Sequence, residues 1–199
     1  MKTVLFTGFL GSGKTTLLLS LARFLTRTAG PTNIVVIENE IGEANVDGLL
    51  MAGSDYEVRD LTSGCICCTL SGQLAAALTE IKNDLDPEWL LVEATGIAHQ
   101  AIADNILAAL PGHRLESLVV VDAERWDELI EGLPMLIMTQ VERADLILLN
   151  KTAALNPDDL ARVEDDLEEI NGRSPRLRVP DEPDRMDDIW SRLRDRFAA

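Results

Sequence analysis

Apolar residues in this chain fall into two kinds of run. Residues 3–7, 33–37, 89–93, 117–122 and 145–149 are short, nearly continuous stretches rich in Val, Ile and Leu. That is the pattern of strands buried on both faces. Between them the apolar positions recur every three or four residues, which predicts helices. The clearest covers 14–27, with Leu17, Leu18, Leu21, Ala22 and Leu25 on one side. Another covers 71–83 on Leu74, Ala77, Leu78 and Ile81. Further helices are predicted over 98–109, 123–131 and 135–143, the last two separated by Gly132 and Pro134. Asn156-Pro157 supplies a cap and a first-turn proline for a charged helix to about 170. Met186, Ile189, Leu193 and Phe197 mark a terminal helix. Weaker strand patterns lie near 56–61 and 176–179, and the rest of 44–60 shows no strong period and reads as loop. Strands alternating with helices predict an α/β fold, a mostly parallel sheet flanked by helices on both faces. No repeat or linker interrupts it, so 1–199 reads as a single domain.

The stretch that adds chemistry to this pattern is Gly8-Phe9-Leu10-Gly11-Ser12-Gly13-Lys14-Thr15. It is the GxxxxGKT pattern of a phosphate-binding loop, in the strand–loop–helix context that pattern requires. Its glycines let the backbone wrap an anion, and the helix N-terminus adds partial positive charge. Gly11, Ser12, Gly13, Lys14, Thr15 and Thr16 are the expected nucleotide contacts. Lys14 reaches the outer phosphates as the loop's own side-chain cation. The Thr15 hydroxyl is the expected magnesium ligand.

Two further strand ends carry candidates. Leu90-Leu91-Val92-Glu93-Ala94-Thr95-Gly96 places an acid after four apolar residues and a glycine three positions on. In a phosphate-binding-loop enzyme such an acid helps hold magnesium, which assigns that role to Glu93 and terminal-phosphate sensing to the Gly96 N–H. Asn150-Lys151 follows the strand at 145–149, the place of the guanine-reading NKxD motif, and points to contacts with the base. Ala153 stands where that motif has its Asp.

The three cysteines, Cys65, Cys67 and Cys68, lie within four positions. An odd, clustered set is a poor disulfide framework and a better site for zinc, cobalt or another soft or borderline ion. Cys67 and Cys68 are neighbours and would point apart in an extended segment, so further ligands are expected. Glu38, Glu43, water or a second subunit could supply them. Glu38, Glu40 and Glu43 equally fit solvated charges on a loop. His99 and His113 are isolated and read as surface residues.

Charge narrows the partners. The net charge of −16 repels nucleic acid and anionic membranes. The apolar run at 4–10 is broken by Gly11–Lys14 too early for a signal sequence, and a cytoplasmic location is the expectation.

Taken together, GFLGSGKTTLL at 8–18, ENEIGE at 38–43, GCICC at 64–68, EATG at 93–96 and NKT at 150–152 resemble the CobW/HypB/UreG family of P-loop GTPases, its CobW-like branch in particular. The resemblance implies Mg2+-dependent GTP binding and hydrolysis coupled to metal delivery, or to assembly of metal enzymes or cobalamin. It implies a client metalloprotein or cofactor-assembly protein as partner, and a nucleotide- or metal-dependent homodimer stays open. It also implies Cys65, Cys67 and Cys68 as metal ligands, with Glu38 and Glu43 as helpers. The chain departs from that pattern at Ala153, at His99-Gln100 where Asp-Pro is usual, and at Ser71 and Gln73 where Arg and Asp are usual. The sequence stops at 199, and the expectation is a chain that lacks the C-terminal domain many CobW-like proteins carry. ATP therefore stays open beside GTP, as does a nucleotide-responsive metal store with little turnover.

The absent carboxylate gives a direct expectation. GTP should be preferred over ATP by far less than the roughly 10⁴-fold or more that a hydrogen-bonding site can reach. Ala153→Asp should raise the preference, as read by competition titration of both nucleotides on both forms.

Overall fold

The computed structural model describes residues 1–29, 34–38, 57–60, 70–94, 99–181 and 185–197. Seven strands are seen among them: β1 (Lys2–Thr7), β2 (Ile34–Glu38), β3 (Glu57–Asp60), β4 (Trp89–Glu93), β5 (Leu115–Asp122), β6 (Leu146–Asn150) and β7 (Arg176–Arg178). They form one sheet in the order β3-β2-β4-β1-β5-β6-β7, and every pairing is parallel. The helices are α1 (Lys14–Ala29), α2 (Leu70–Glu80), α3 (His99–Ala109), α4 (Trp126–Gly132), α5 (Pro134–Glu142), α6 (Pro157–Asn171) and α7 (Met186–Arg196). Among the described residues, no helix is long and apolar enough to cross a membrane.

Alternation along each strand sends successive side chains to opposite faces. Val4 and Phe6 of β1 and Leu118 and Val120 of β5 pack under α1 and α7. On the other face, Leu5, Leu90 and Val92 meet α2 and α3, while Val119, Val121, Ile147 and Leu149 meet α4, α5 and α6. Burial on both faces is why the strands read as continuous apolar runs rather than as alternating ones. All five apolar residues expected on α1 are buried. Asn156 caps α6 as its sequence implies, its Oδ1 accepting from the Asp159 N–H at 2.9 Å. The Arg178 guanidinium bonds Glu164 at 2.7 and 2.8 Å, ties β7 to α6 and holds that carboxyl below its usual range.

Two boundaries differ from expectation by three residues, the others by one or two. The helix expected from 123 begins at Trp126, because the Ala123 N–H is taken by the Asn150 carbonyl at 2.9 Å and extends the sheet pairing. Residues 123–125 turn instead, and that turn brings Arg125 towards the phosphate-binding loop. α2 ends at Glu80 and passes into a π-helical turn, Ile81–Leu85, closed by left-handed Asp86 at φ 38°. Ile81 and Leu85 both pack into the core on the α2–α3 face.

Trp190 of α7 is fully buried, packs edge-on against Phe6 at 6.4 Å between centroids, and donates from Nε1 to Ser20 Oγ at 3.0 Å. Trp190→Ala should therefore cost about 3–5 kcal/mol of unfolding free energy. Trp190→Phe, which loses chiefly the hydrogen bond, should cost about 1 kcal/mol. Urea unfolding followed by circular dichroism separates the two.

Candidate nucleotide site

The loop between β1 and α1 is shaped by close approach as well as by torsion. Gly8 has φ +133°, and a Cβ there would collide with the Val120 carbonyl of β5. Gly13 has φ +100°, and a Cβ there would lie 2.5 Å from Asn150 Nδ2. The Ser12 N–H closes the turn onto the Phe9 carbonyl at 3.1 Å. α1 has no acidic residue in its first turn, so no carboxylate there opposes an anion at its positive end.

Lys14 and Glu93 meet beneath this cradle. Lys14 Nζ donates to the Phe9 carbonyl at 3.1 Å and lies 3.9 Å from Glu93 Oε1. Both side chains are only 7% exposed, so the pair stands in a poorly screened environment. Parallel pairing sets the contact, since Glu93 of β4 is in register with Phe6 of β1. Removing one partner of such a buried pair leaves the other uncompensated. Thr15 is half-buried at the start of α1, and Thr16 and Gly11 are exposed. The Thr15 hydroxyl and the Glu93 carboxylate are hard oxygen donors, the chemistry that suits magnesium.

The other half of the site comes from β6. Asn150 Nδ2 donates to the Ser12 carbonyl at 2.8 Å, and its Oδ1 accepts from the Lys151 N–H at 2.9 Å. Lys151 takes a left-handed conformation, φ +59°, and its Nζ donates to Asp122 Oδ2 at 2.7 Å. Ala153 is exposed in the short helical turn Thr152–Ala154.

Sequence reasoning missed two residues here. Asp122 closes β5 as Glu93 closes β4, and that shared strand-end position was the available signal. Arg125 had none. Its Nη1 donates to the Leu10 carbonyl at 3.4 Å, and its guanidinium lies 5.4 Å from the Phe9 ring centroid. The loop thus has a second cation at its rim besides Lys14.

The metal candidates are placed less fully. Gly96, Glu40, Glu43, Cys65, Cys67 and Cys68 lie outside the described residues. Glu38 ends β2, but its side chain is outside the described set. Among the described residues, no group of three or more His, Cys, Asp or Glu is arranged to hold a metal ion. His113 is half-buried, with Nδ1 3.4 Å from the Met1 carbonyl.

A family model described as CobW/HypB/UreG, nucleotide-binding domain, matches residues 2–178. The chain belongs to this family. It is 35% identical over 187 residues to the zinc chaperone YjiA of Escherichia coli (strain K12), covering 86% of this chain and 55% of the relative. It is 29% identical over 206 residues to the zinc chaperone CobW of a Sinorhizobium species, covering 86% of this chain and 56% of the relative. The chain therefore spans about half the length of these curated relatives. The crystal structure of Zn(II)-bound YjiA GTPase from E. coli superposes with a TM-score of 0.65 at 27% identity, covering 92% of this chain and 58% of that one. The hydrogenase maturation factor HypB from Archaeoglobus fulgidus gives 0.68 at 17% identity, covering 97% and 90%, a likeness of fold.

Close approach at Gly13 yields a test. Gly13→Ala should weaken nucleoside diphosphate binding at least about tenfold, because the loop must move off Asn150 and adopt a strained φ. Gly112→Ala is the control, since Gly112 has φ +80° but no atom within 4 Å of where a Cβ would stand, and it lies away from the loop. It should leave binding unchanged in calorimetric titration.

Proposed function

We propose that the chain is a magnesium-dependent nucleoside triphosphatase, with GTP as substrate, whose cycle drives delivery of a transition metal to a client protein. The observation that carries the hydrolytic half is the buried Lys14–Glu93 pair under the glycine cradle, tied through Ser12 to Asn150. Lys14 and the loop N–H groups would stabilise the charge spread over the transferring phosphoryl group. Thr15 and Glu93 would hold magnesium, which supplies charge neutralisation at the phosphates. Thr16 and Gly96 would contact phosphate, and Asn150 and Lys151 would bound the base.

Family membership and the zinc chaperones among the relatives support the metal half. Zinc is the cargo favoured by those relatives, and cobalt also suits thiolate ligands. Cys65, Cys67 and Cys68 are the proposed ligands, with Glu38 and Glu43 completing the set. A client metalloprotein would be the recipient, a homodimer that forms with nucleotide or metal is part of the proposal, and the cytoplasm is the proposed setting. Ala153 favours a second reading, an ATP-using protein of the same kind.

Multiple-turnover phosphate release with GTP and ATP in parallel tests the hydrolytic half. Lys14→Ala should abolish it, and turnover at the wild-type rate would overturn the reading. Zinc titration into the apo, diphosphate and non-hydrolysable triphosphate forms tests the coupling. Affinity should change by about 5–150-fold between states, and nucleotide affinity by the same factor with metal. Cys67→Ser and Cys68→Ser should lose zinc, since a hydroxyl is a poor ligand for such ions. Zinc binding unchanged in both would remove the site.

A further inference from the structure

Two glycines bracket the crest of the loop. Gly8 and Gly11 hold positive φ, at +133° and +78°, and Phe9 and Leu10 lie between them. Glycine keeps the most backbone freedom, so the crest has a pivot at each end. The Leu10 side chain is 77% exposed and gives the crest no anchor of its own. Yet the crest bears on where Lys14 waits. The Phe9 carbonyl accepts from Lys14 Nζ and from the Ser12 N–H, each at 3.1 Å. A tilt of the Phe9–Leu10 peptide would move the acceptor that holds that ammonium.

Arg125 grips this crest from outside the loop. Its Nη1 donates to the Leu10 carbonyl at 3.4 Å, and its guanidinium lies over the Phe9 ring at 5.4 Å from the centroid. The same Nη1 is 3.8 Å from where a Gly11 Cβ would stand. Phe9 is also packed against the core cluster of Val119, Val121 and Trp126. The backbone that carries Arg125 is itself held. The Ala123 N–H is bonded to the Asn150 carbonyl at 2.9 Å, and Trp126, next in the chain, is 1% exposed.

We propose that Arg125 is a positioning residue of the phosphate-binding loop. It braces the Phe9–Leu10 crest and, through the Phe9 carbonyl, holds the Lys14 ammonium in place before a phosphate arrives. Arg125 acts through the loop and contacts no phosphate itself. Holding the crest in advance removes ordering cost from binding. The brace therefore serves any phosphate tail, whatever base it carries. The inference rests on the nucleotide reading above and names what keeps its phosphate half in shape.

One rival role is a plain ion pair with Glu128, which lies 3.6 Å away on α4. Another is a charge that merely attracts polyanions. Calorimetric titration of GDP, and of inorganic tripolyphosphate, which has no base, separates these roles. Arg125→Ala should weaken both probes by the same factor, roughly three- to tenfold, the range for one cation–π contact and one hydrogen bond. Arg125→Lys keeps the charge without the planar fork and should recover less than half of that loss. Glu128→Gln should leave both affinities within about twofold. Phe9→Leu should weaken both probes, and its double variant with Arg125→Ala should fall short of the product of the single effects, because the two side chains share one contact. In ligand-free Arg125→Ala the Leu10 and Gly11 amides should exchange hydrogen faster while those of β1 and β5 keep their wild-type rates. A general loss of stability would speed all of them and overturn the brace. Unchanged affinity in Arg125→Ala, full recovery in Arg125→Lys, additive effects with Phe9→Leu, or a loss for GDP alone would overturn it too. If Arg125→Ala fails to fold, Arg125→Lys takes its place in the pair with Phe9→Leu. Wild-type protein that binds GDP but not tripolyphosphate would overturn only the brace. Wild-type protein that binds neither would overturn the nucleotide reading itself.

Discussion

The site depends first on one hydrogen bond, from Asn150 Nδ2 to the Ser12 carbonyl at 2.8 Å. It joins residues 138 positions apart and links the end of β6 to the loop that would carry phosphate. A lost bond of this kind costs only about 1 kcal/mol on average. Its geometric consequence is larger. The same amide sits where a Gly13 Cβ would be, so the loop can approach β6 only because Gly13 has no side chain. The Asn150 Oδ1 fixes the Lys151 N–H, and Lys151 reaches Asp122. Four residues from β5, β6 and the loop thus form one connected set, and a shift in any one is felt by the others.

That connection rests on the sheet. β1 lies between β4 and β5, so the loop leaving β1 is flanked by Glu93 on one side and Asp122 on the other. The Lys14 ammonium lies within ion-pair distance of the first, and the Lys151 ammonium is bonded to the second. In a chain of net charge −16, two lysines and Arg125 are gathered at this one sheet edge, each matched by an acid: Glu93, Asp122 and Glu128.

Most of the fold could be read in the sequence because parallel strands buried on both faces declare themselves as apolar runs. Leu90 to Val92 and Val119 to Val121 needed no partner to be recognised as strands. The phosphate half of the site was equally legible, since the loop's spacing is local. Asp122 and Arg125 were not, because their roles arise from contacts across the sheet, Asp122 to Lys151 and Arg125 to Leu10. The strand-end position that Asp122 shares with Glu93 was its one local signal, and a single acid after an apolar run is too common for that signal to decide. The turn at 123–125 escaped notice for a related reason. The pairing that prevents a helix there comes from Asn150, far along the chain.

The same sheet edge bears on how metal and phosphate could communicate. In register, Ile37 pairs with Val92 and Glu38 with Asp60. The ends of β2, β3 and β4 are therefore level, and Glu38, Asp60 and Glu93 occupy the terminal positions of three adjacent strands. Adjacent strands are about 4.8 Å apart, so the backbone of Glu38 lies one strand from that of Glu93. Any segment leaving β2 or β3 starts at the edge where the terminal phosphate would sit. A metal ligand drawn from such a segment would need no long relay to sense the phosphate state, because the strand ends already share a rigid support. Coupling on this scale is typically about 1–3 kcal/mol. A rigid sheet edge can transmit that much only if a ligand changes the segment rather than the strand, since β2 and β4 are each fixed by pairing on both sides.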